Sequence, residues 1–337
     1  MPAVTVLMSC YNASRYLSEA VESVLAQSYR DYEFIVVNDG STDDTSGMLR
    51  KYAAEDDRIV LVEKENTGLG DSLNAGMRMA RGEWIARLDA DDIALPDRLA
   101  RQIAFVQEND SVVLLGTGCF LINECGRLSR AYRYPREHHG LMRHMESGCS
   151  PFPHSSALFH KAAVIASGGY NPRFIRAQDY DLWLTLGETR EIACLQDPLV
   201  EIRKHASNIS CDSVHPTQLI MAMAARVCHF LRLREASDPS RTKRNDEWNG
   251  FISWLTTRLE RESYLGIQGQ RAGIRHGLHA SLQSAGRPAV SRIASATLKA
   301  RCVYQVVRDR FLWMNLALRL ADEWIRVDGD SFCCQVE

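Results

Sequence analysis

Three carboxylates fall within four positions at Asp89-Ala90-Asp91-Asp92, directly behind the run Trp84-Ile85-Ala86-Arg87-Leu88. Carboxylates that close repel one another, and a strand end leaves them unneutralised unless a cation sits among them. Oxygen ligands suit a hard divalent ion, Mn²⁺ or Mg²⁺, which commonly takes one or two carboxylates together with substrate phosphates. The competing reading is a solvated turn that caps the helix expected after Pro96. A second polar cluster, Asn38-Asp39-Gly40-Ser41-Thr42-Asp43, follows the apolar run Phe34-Ile35-Val36-Val37. There Asp39 can accept hydrogen bonds from a ribose or a base, Gly40 allows close approach, and a plain capping turn is the alternative. Asn66-Thr67-Gly68-Leu69-Gly70 is a partial match to a Gly-x-Gly-x-x-Gly phosphate loop, with Asn74 where the third glycine belongs. Asp179 and Asp181 would lie about 200° apart on a helix, so only one of them can point squarely into a cleft. His205 at a strand end can ligate a metal or be a surface or satisfied histidine, and Arg203 and Lys204 beside it can meet phosphate or simply water. His154, between Pro153 and Ser155-Ser156, is equally open. Neither a Gly-x-Ser-x-Gly elbow nor a His-Glu-x-x-His zinc motif occurs.

The elements that must carry these residues follow from periodicity. Apolar runs at 4–8, 34–37, 59–62 and 84–88 read as strands. Helices expected over 14–27, from Ser41 or Thr42 to about 54, and through Met79 alternate with them, with Ser14 as a candidate cap. That alternation predicts right-handed βαβ units, a mostly parallel sheet, and polar clusters gathered along one sheet edge. Further on, the pattern gives a helix to about Glu108, a strand over 112–116 and a hairpin from Cys119 to Tyr134 around Gly126. A helix from Lys161 is broken at Gly168-Gly169-Tyr170, another starts at Gln178, and a last strand covers 199–202. From about Asp212 the pattern is helical, with segments expected at 217–233, 247–264, 291–307 and 311–325. The expected division is therefore a catalytic α/β domain, 1–211, and a helical extension, 212–337.

A hydrophobic content of 45% and a net charge of −2 fit an ordinary globular protein and give no electrostatic case for nucleic acid. The ten cysteines form no Cys-x-x-Cys pair, and adjacent Cys333-Cys334 suit a structural disulfide poorly, so reduced thiols in a cytoplasmic protein are expected. A strand beginning at Val4 leaves no room for a signal peptide, and no apolar run approaches the roughly 20 residues of a membrane span. A soluble or at most peripheral protein is the expectation.

Taken in order, Val4 to Asn12, the Asn38–Asp43 cluster, Asn66-x-Gly68, Asp89-Ala90-Asp91-Asp92, Gly168-Gly169-Tyr170 and Gln178-Asp179-Tyr180-Asp181-Leu182-Trp183 resemble a family 2 glycosyltransferase over about residues 1–210. The resemblance implies an inverting enzyme of the GT-A fold, a nucleotide-diphospho-sugar transferase of Rossmann-like α/β architecture with a C-terminal helical extension. Ser9, Tyr11, Asn12 and Asp39, with Asn66 and Gly68, would bind the nucleotide sugar. Asp89 and Asp91 match the family's Asp-x-Asp, which meets the ribose and the Mn²⁺ or Mg²⁺ on the diphosphate, and His205 matches a histidine near that metal. Asp179 matches the general base on the acceptor hydroxyl, although Gln178 replaces the usual neighbouring Glu. The processive motif Gln-x-x-Arg-Trp is missing, which implies single additions. A UDP-sugar is the commonest donor in the family. A glycan or lipid-linked acceptor and peripheral membrane contact through the C-terminal helices complete the expectation. Two rivals stand beside it. A nucleotidyltransferase would carry a Gly-rich basic loop where Ser9-Cys10-Tyr11-Asn12 stands. The other is a non-catalytic nucleotide-sugar-binding protein.

Overall fold

The computed structural model describes residues 2–205, 208, 216–261 and 313–327. In chain order the first elements are β1 (Val4–Cys10), α1 (Leu17–Leu25), β2 (Tyr32–Asp39), α2 (Thr45–Glu55), β3 (Ile59–Lys64), α3 (Leu69–Met79), β4 (Trp84–Arg87), β5 (Ile93–Ala94) and α4 (Arg98–Glu108). There follow β6 (Val112–Asn123), β7 (Leu128–Tyr132), α5 (His138–Glu146), a 3₁₀ turn (His154–Ser156), β8 (Leu158–His160), α6 (Lys161–Ala166), α7 (Gln178–Gly187) and β9 (Glu191–Lys204). Helices α8 (Pro216–Leu233), α9 (Asn245–Arg261) and one over 313–327 close the described chain.

Every residue of β1 is buried, because the strand lies between β2 and β4 with a helix on each face. Val4, Val6 and Met8 join Phe34 and Val36 against Leu17, Val21 and Val24 of α1. Leu7, Ile35 and Val37 point the other way, onto α3, where a Cβ on Gly76 would stand 2.3 Å from Leu7. Burying each such aliphatic side chain contributes about 1.5–3 kcal/mol, and the period of two fixes the register. The sheet order is β3-β2-β1-β4-β8-β6-β9-β5, with β7 on β6. The α/β class and mostly parallel sheet hold; every antiparallel pair involves β5, β7 or β8. The parallel strands β1, β2 and β4 end together, which brings their polar tails to one edge.

Several local expectations are corrected. Ser14 does not cap α1, which starts at Leu17 with no side-chain cap; its N–H goes to Asp43 Oδ2 at 3.1 Å. Neither Ser41 nor Thr42 caps α2, which starts at Thr45; Ser41 Oγ accepts the Asn12 N–H instead, and the Thr42 N–H reaches Asn12 Oδ1. These polar groups tie the β1 and β2 loops together rather than starting helices. The strand expected over 112–116 and the first arm of the hairpin are one strand, β6, and β9 begins at Glu191, well before 199. The two pair in parallel through shifts around Gly118, a register that local patterning does not announce.

The described residues form two compact units. One comprises the chain to Met145 and from Cys149 through the end of β9; the other comprises Glu146–Gly148 and the helices from α8 onward. In the second unit Phe251, Trp254 and Trp324 pack ring on ring, and Arg226 covers Trp313. The helix expected over 291–307, residues 262–264, Phe311, Leu312 and Cys333-Cys334 lie outside the described residues. Among those described, Cys10, Cys119, Cys125, Cys149, Cys194 and Cys228 are free thiols, and no helix is long and apolar enough to cross a membrane.

Gly82 leads into β4, and a Cβ there would lie 2.4 Å from the Thr5 backbone nitrogen. Gly82→Ala should therefore cost about 1–3 kcal/mol, read as a lower urea midpoint. An unchanged midpoint would mean that β1 and the approach to β4 separate freely.

Candidate active site

β4 ends at Arg87, and the chain then turns under the sheet edge with its three acids. Arg87 is completely buried and ion-paired to Asp89. Burial pushes Asp89 upward, but Arg87 and Ser155 outweigh it and hold the carboxyl below its ordinary value. Asp91 is raised by burial and by Asp89, against the opposing pull of His205. Asp92 is raised well above the usual range by burial and its two acidic neighbours. Ser155 Oγ lies 2.8 Å from Asp89 Oδ2 and also contacts Asp92 Oδ2. A hydroxyl has one proton, so Ser155 can donate to only one of these carboxyls at a time. Asp92 Oδ1 takes the Arg203 N–H at 2.8 Å, which fixes it to β9. Asp91 Oδ2 meets His205 Nε2 at 2.8 Å and Asn208 Nδ2 at 2.9 Å.

Asp89, Asp91 and Asp92 each offer an oxygen within 4.8 Å of the others. The donor set is oxygen with one adjacent imidazole, and the repulsion that raises Asp91 and Asp92 is what a divalent cation would relieve. The residues present therefore fit such an ion. Asp91, Asp89 and the neighbouring His205 are those that would hold it.

On the other side, α7 starts from Ala177, held in the left-handed region at φ 57°. Asp179 Oδ1 accepts the Tyr180 N–H at 2.9 Å, and its carboxyl is raised, first by burial, with Asp89 adding to the rise and Arg87 opposing it. Asp181 is completely buried, whereas Asp179 keeps some exposed surface. Arg87 thus acts on carboxylates reached from two distant parts of the chain.

The remaining candidates lie at the ends of β1, β2 and β3. Ser9 is buried, and Tyr11 presents a half-exposed ring. Asn12, at φ 51°, holds the β2 turn through its side chain. Asp39 is buried and clamps the next loop: Lys64 Nζ stands 2.6 Å from Oδ1, the Thr67 N–H 3.0 Å from Oδ1 and the Gly68 N–H 2.9 Å from Oδ2. Burial pushes Asp39 up, but these donors outweigh it and the net direction is down. Asn66 is exposed, and a Cβ on Gly40 would stand 2.8 Å from its backbone nitrogen. Close approach at Gly40 therefore serves the Asn66 loop.

Some functional neighbours escaped the sequence reading. Arg203, read as meeting phosphate or water, is buried and gives its guanidinium to Glu19 and to the Asp91 carbonyl. Ser155 and Asn208 carry no motif of their own, and only the fold brings them to the acids. His154 Nε2 shares a 2.7 Å hydrogen bond with the Tyr170 hydroxyl. Burial, then the charge of Arg87, holds His154 well below its ordinary value and neutral.

Solved structures share this architecture. TarS 1–349 of S. aureus in complex with UDP-GlcNAc aligns with a TM-score of 0.55 and 19% identity, over 74% of this chain and 70% of that one. The mannosyltransferase PcManGT from Pyrobaculum calidifontis, in complex with GDP-Man and Mn²⁺, aligns at 0.52 and 21% over 97% and 88%. The fold is GT-A-like. The model of the family described as "Glycosyl transferase family 2" matches residues 5–166. EpsE of Bacillus subtilis (strain 168) is 37% identical over 191 residues, 56% of this chain and 67% of that protein. The O-antigen biosynthesis glycosyltransferase WbnJ of Escherichia coli is 31% identical over 184 residues, 54% and 71%. The chain belongs to glycosyltransferase family 2.

The depressed Asp39 makes a directional prediction. Its carboxylate stabilises the fold above the ordinary value of 3.8, and that stability is lost as pH falls through the lower folded value. Asp39→Asn should cost about 1–3 kcal/mol at pH 7, with the gap to wild type closing in acid. Denaturant melts at pH 7 and pH 3 check this; a gap that does not narrow would place the loss elsewhere.

Proposed function

We propose that this glycosyltransferase moves one sugar from a nucleoside-diphosphate sugar to an acceptor hydroxyl with inversion at the anomeric carbon. The observation that carries the reading is the position of buried Arg87, which is ion-paired to Asp89 after β4 and whose charge opposes the rise of the Asp179 carboxyl at the start of α7. Two carboxylate centres, one suited to a metal and one free to take a proton, match the two ends of a displacement.

In this reading the half-exposed Tyr11 ring, with Ser9, Asn12, Asn66 and Gly68, faces the nucleotide. Asp39 serves the same pocket by shaping its rim. Asp89 and Asp91, with His205, hold Mn²⁺ or Mg²⁺, which when bound supplies positive charge to the leaving diphosphate. Asp179 takes the proton of the acceptor hydroxyl as its oxygen bonds the anomeric carbon. The bond to the phosphate oxygen breaks, and its electron pair leaves with the nucleoside diphosphate. Attack opposite the leaving group inverts the centre. A UDP-sugar is the first donor to test, since TarS is complexed with UDP-GlcNAc; GDP-Man, the ligand of PcManGT, is the second. An acceptor in polysaccharide, glycolipid or envelope glycan synthesis accords with the similarity to WbnJ. Residues 1–211 carry the chemistry, and the described helices within 212–337, with Leu233, Ile325 and Val327 exposed, offer a peripheral contact for a lipid-linked acceptor on the cytoplasmic face of a membrane. The uncharged Gln178 beside the base bears on which acceptor is taken.

Two experiments test the reading. Asp179→Asn should cut transfer by about 10²- to 10⁴-fold while calorimetric UDP affinity with Mn²⁺ stays within twofold. In the wild type the acid limb of transfer should lie above pH 3.8, because burial raises this base and it works only when deprotonated. A normal rate for Asp179→Asn, or its loss of UDP affinity in step with turnover, removes Asp179 as base. Asp91→Asn should abolish turnover and the metal-dependent part of UDP binding, whereas full activity in EDTA would remove the metal from the site.

A further inference from the structure

We propose that Asn74, Tyr170 and His154 are positioning residues that fix the placement of Asp179 relative to Asp89, an inference that rests on the reading of Asp179 as base. Asn74 stood out in the sequence only as the residue that breaks a glycine pattern. On α3 its side chain grips one backbone residue from both sides. Nδ2 donates to the Tyr170 carbonyl at 2.7 Å, and Oδ1 accepts the Tyr170 N–H at 2.9 Å. One amide thus does for Tyr170 what a neighbouring strand would do. The contact needs a glycine just before it, since Gly169 has φ +72° and a Cβ there would lie 2.7 Å from Asn74 Oδ1.

From Tyr170 the connection branches to both centres. Its ring is completely buried, so it meets no substrate and can act only through neighbours. Its hydroxyl holds His154 Nε2 at 2.7 Å. The His154 ring meets Trp183 edge-on at 5.9 Å, and Trp183 lies on α7, the helix that carries Asp179. The next residue after His154 is Ser155, whose hydroxyl contacts Asp89 and Asp92. A single 3₁₀ turn therefore touches the donor acids with one side chain and the helix of the base with the preceding one. The start of α3 joins in: a Cβ on Gly70 would be 3.7 Å from both Tyr170 Cβ and Gln178 Cγ. The helix that follows the Asn66–Gly68 loop thus abuts the residue before Asp179.

Displacement by an ångström at a reacting centre costs about 10²-fold in rate. Loosening this chain should therefore lower turnover without weakening donor binding. Tyr170→Phe keeps the ring and removes only the hydroxyl; Asn74→Ala removes the backbone grip. Each should lower kcat for acceptor-stimulated UDP release from UDP-GlcNAc by about 10- to 100-fold. UDP affinity with Mn²⁺ should stay within twofold, and the ratio of donor hydrolysis to transfer should rise as water competes with a misplaced acceptor. The double variant should lose little more than the worse single one, as members of one network do. Unchanged kcat in soluble, folded Tyr170→Phe and Asn74→Ala, with only the melting temperature lowered, overturns the proposal; so does a loss of UDP affinity equal to the loss of turnover. If Tyr170→Phe does not fold, Asn74→Ala decides by the same criteria. Asp179→Asn run alongside separates the two ideas: an active Asp179→Asn defeats the base assignment itself, while an inactive one beside normal Tyr170→Phe and Asn74→Ala defeats only the positioning chain.

Discussion

The pairing of the fully buried Arg87 with the part-exposed Asp89 is the interaction on which the site depends. A guanidinium removed from water carries a desolvation penalty that a carboxylate partner offsets, and deleting that partner leaves a bare charge inside the protein. Here the arrangement is more demanding still. Arg98, also buried, donates to the Arg87 carbonyl and to that of Ala157, and burial together with the charge of Arg87 lowers it to about 9. Arg203 lies buried on the far side of the acids. Three guanidinium groups and three carboxyls are packed behind one sheet edge. An apolar core would be easier to assemble, so the charges make most sense as a support for the acids.

The fold supplies this support through the ends of its parallel strands. β1, β2 and β4 run side by side and stop at one edge, so Asn12, Asp39 and Asp89 become neighbours through register alone. The antiparallel β8 then returns along β4, and the 3₁₀ turn just before it delivers His154 and Ser155 to the acids. β9 ends on the other side and delivers Arg203 and His205. The acids thus come from the first strands, and several of the groups that hold Asp89, Asp91 and Asp92 come from later in the chain, from Ser155 to Asn208.

How much of this was legible follows from what each residue reports locally. Continuous apolar runs announced β1 to β4, and three acids in four residues announced the cluster of Asp89, Asp91 and Asp92, because repulsion at that spacing is a local property. The start of α7 was equally visible. By contrast, Asp39 is buried in the fold, and its partners Lys64, Thr67 and Gly68 lie more than twenty residues away. Nothing near Arg203 in the chain shows that it would be buried against Glu19. Gln196, Asp197 and Pro198 in the middle of β9 give no local strand signal, yet β9 runs through them along β6. Local pattern thus identified the acid cluster better than the groups that hold it.

The clamp made by Asp39 has a thermodynamic side. Ordering one residue's backbone costs about 1–2 kcal/mol in conformational entropy, and a loop that closes on its ligand bears that cost at the moment of binding. Thr67 and Gly68 are already fastened through their amides to a carboxylate inside the protein. Their disorder is removed when the chain folds, so any ligand that arrives there meets a rim already in shape, and what it gains from each contact goes undiminished into affinity.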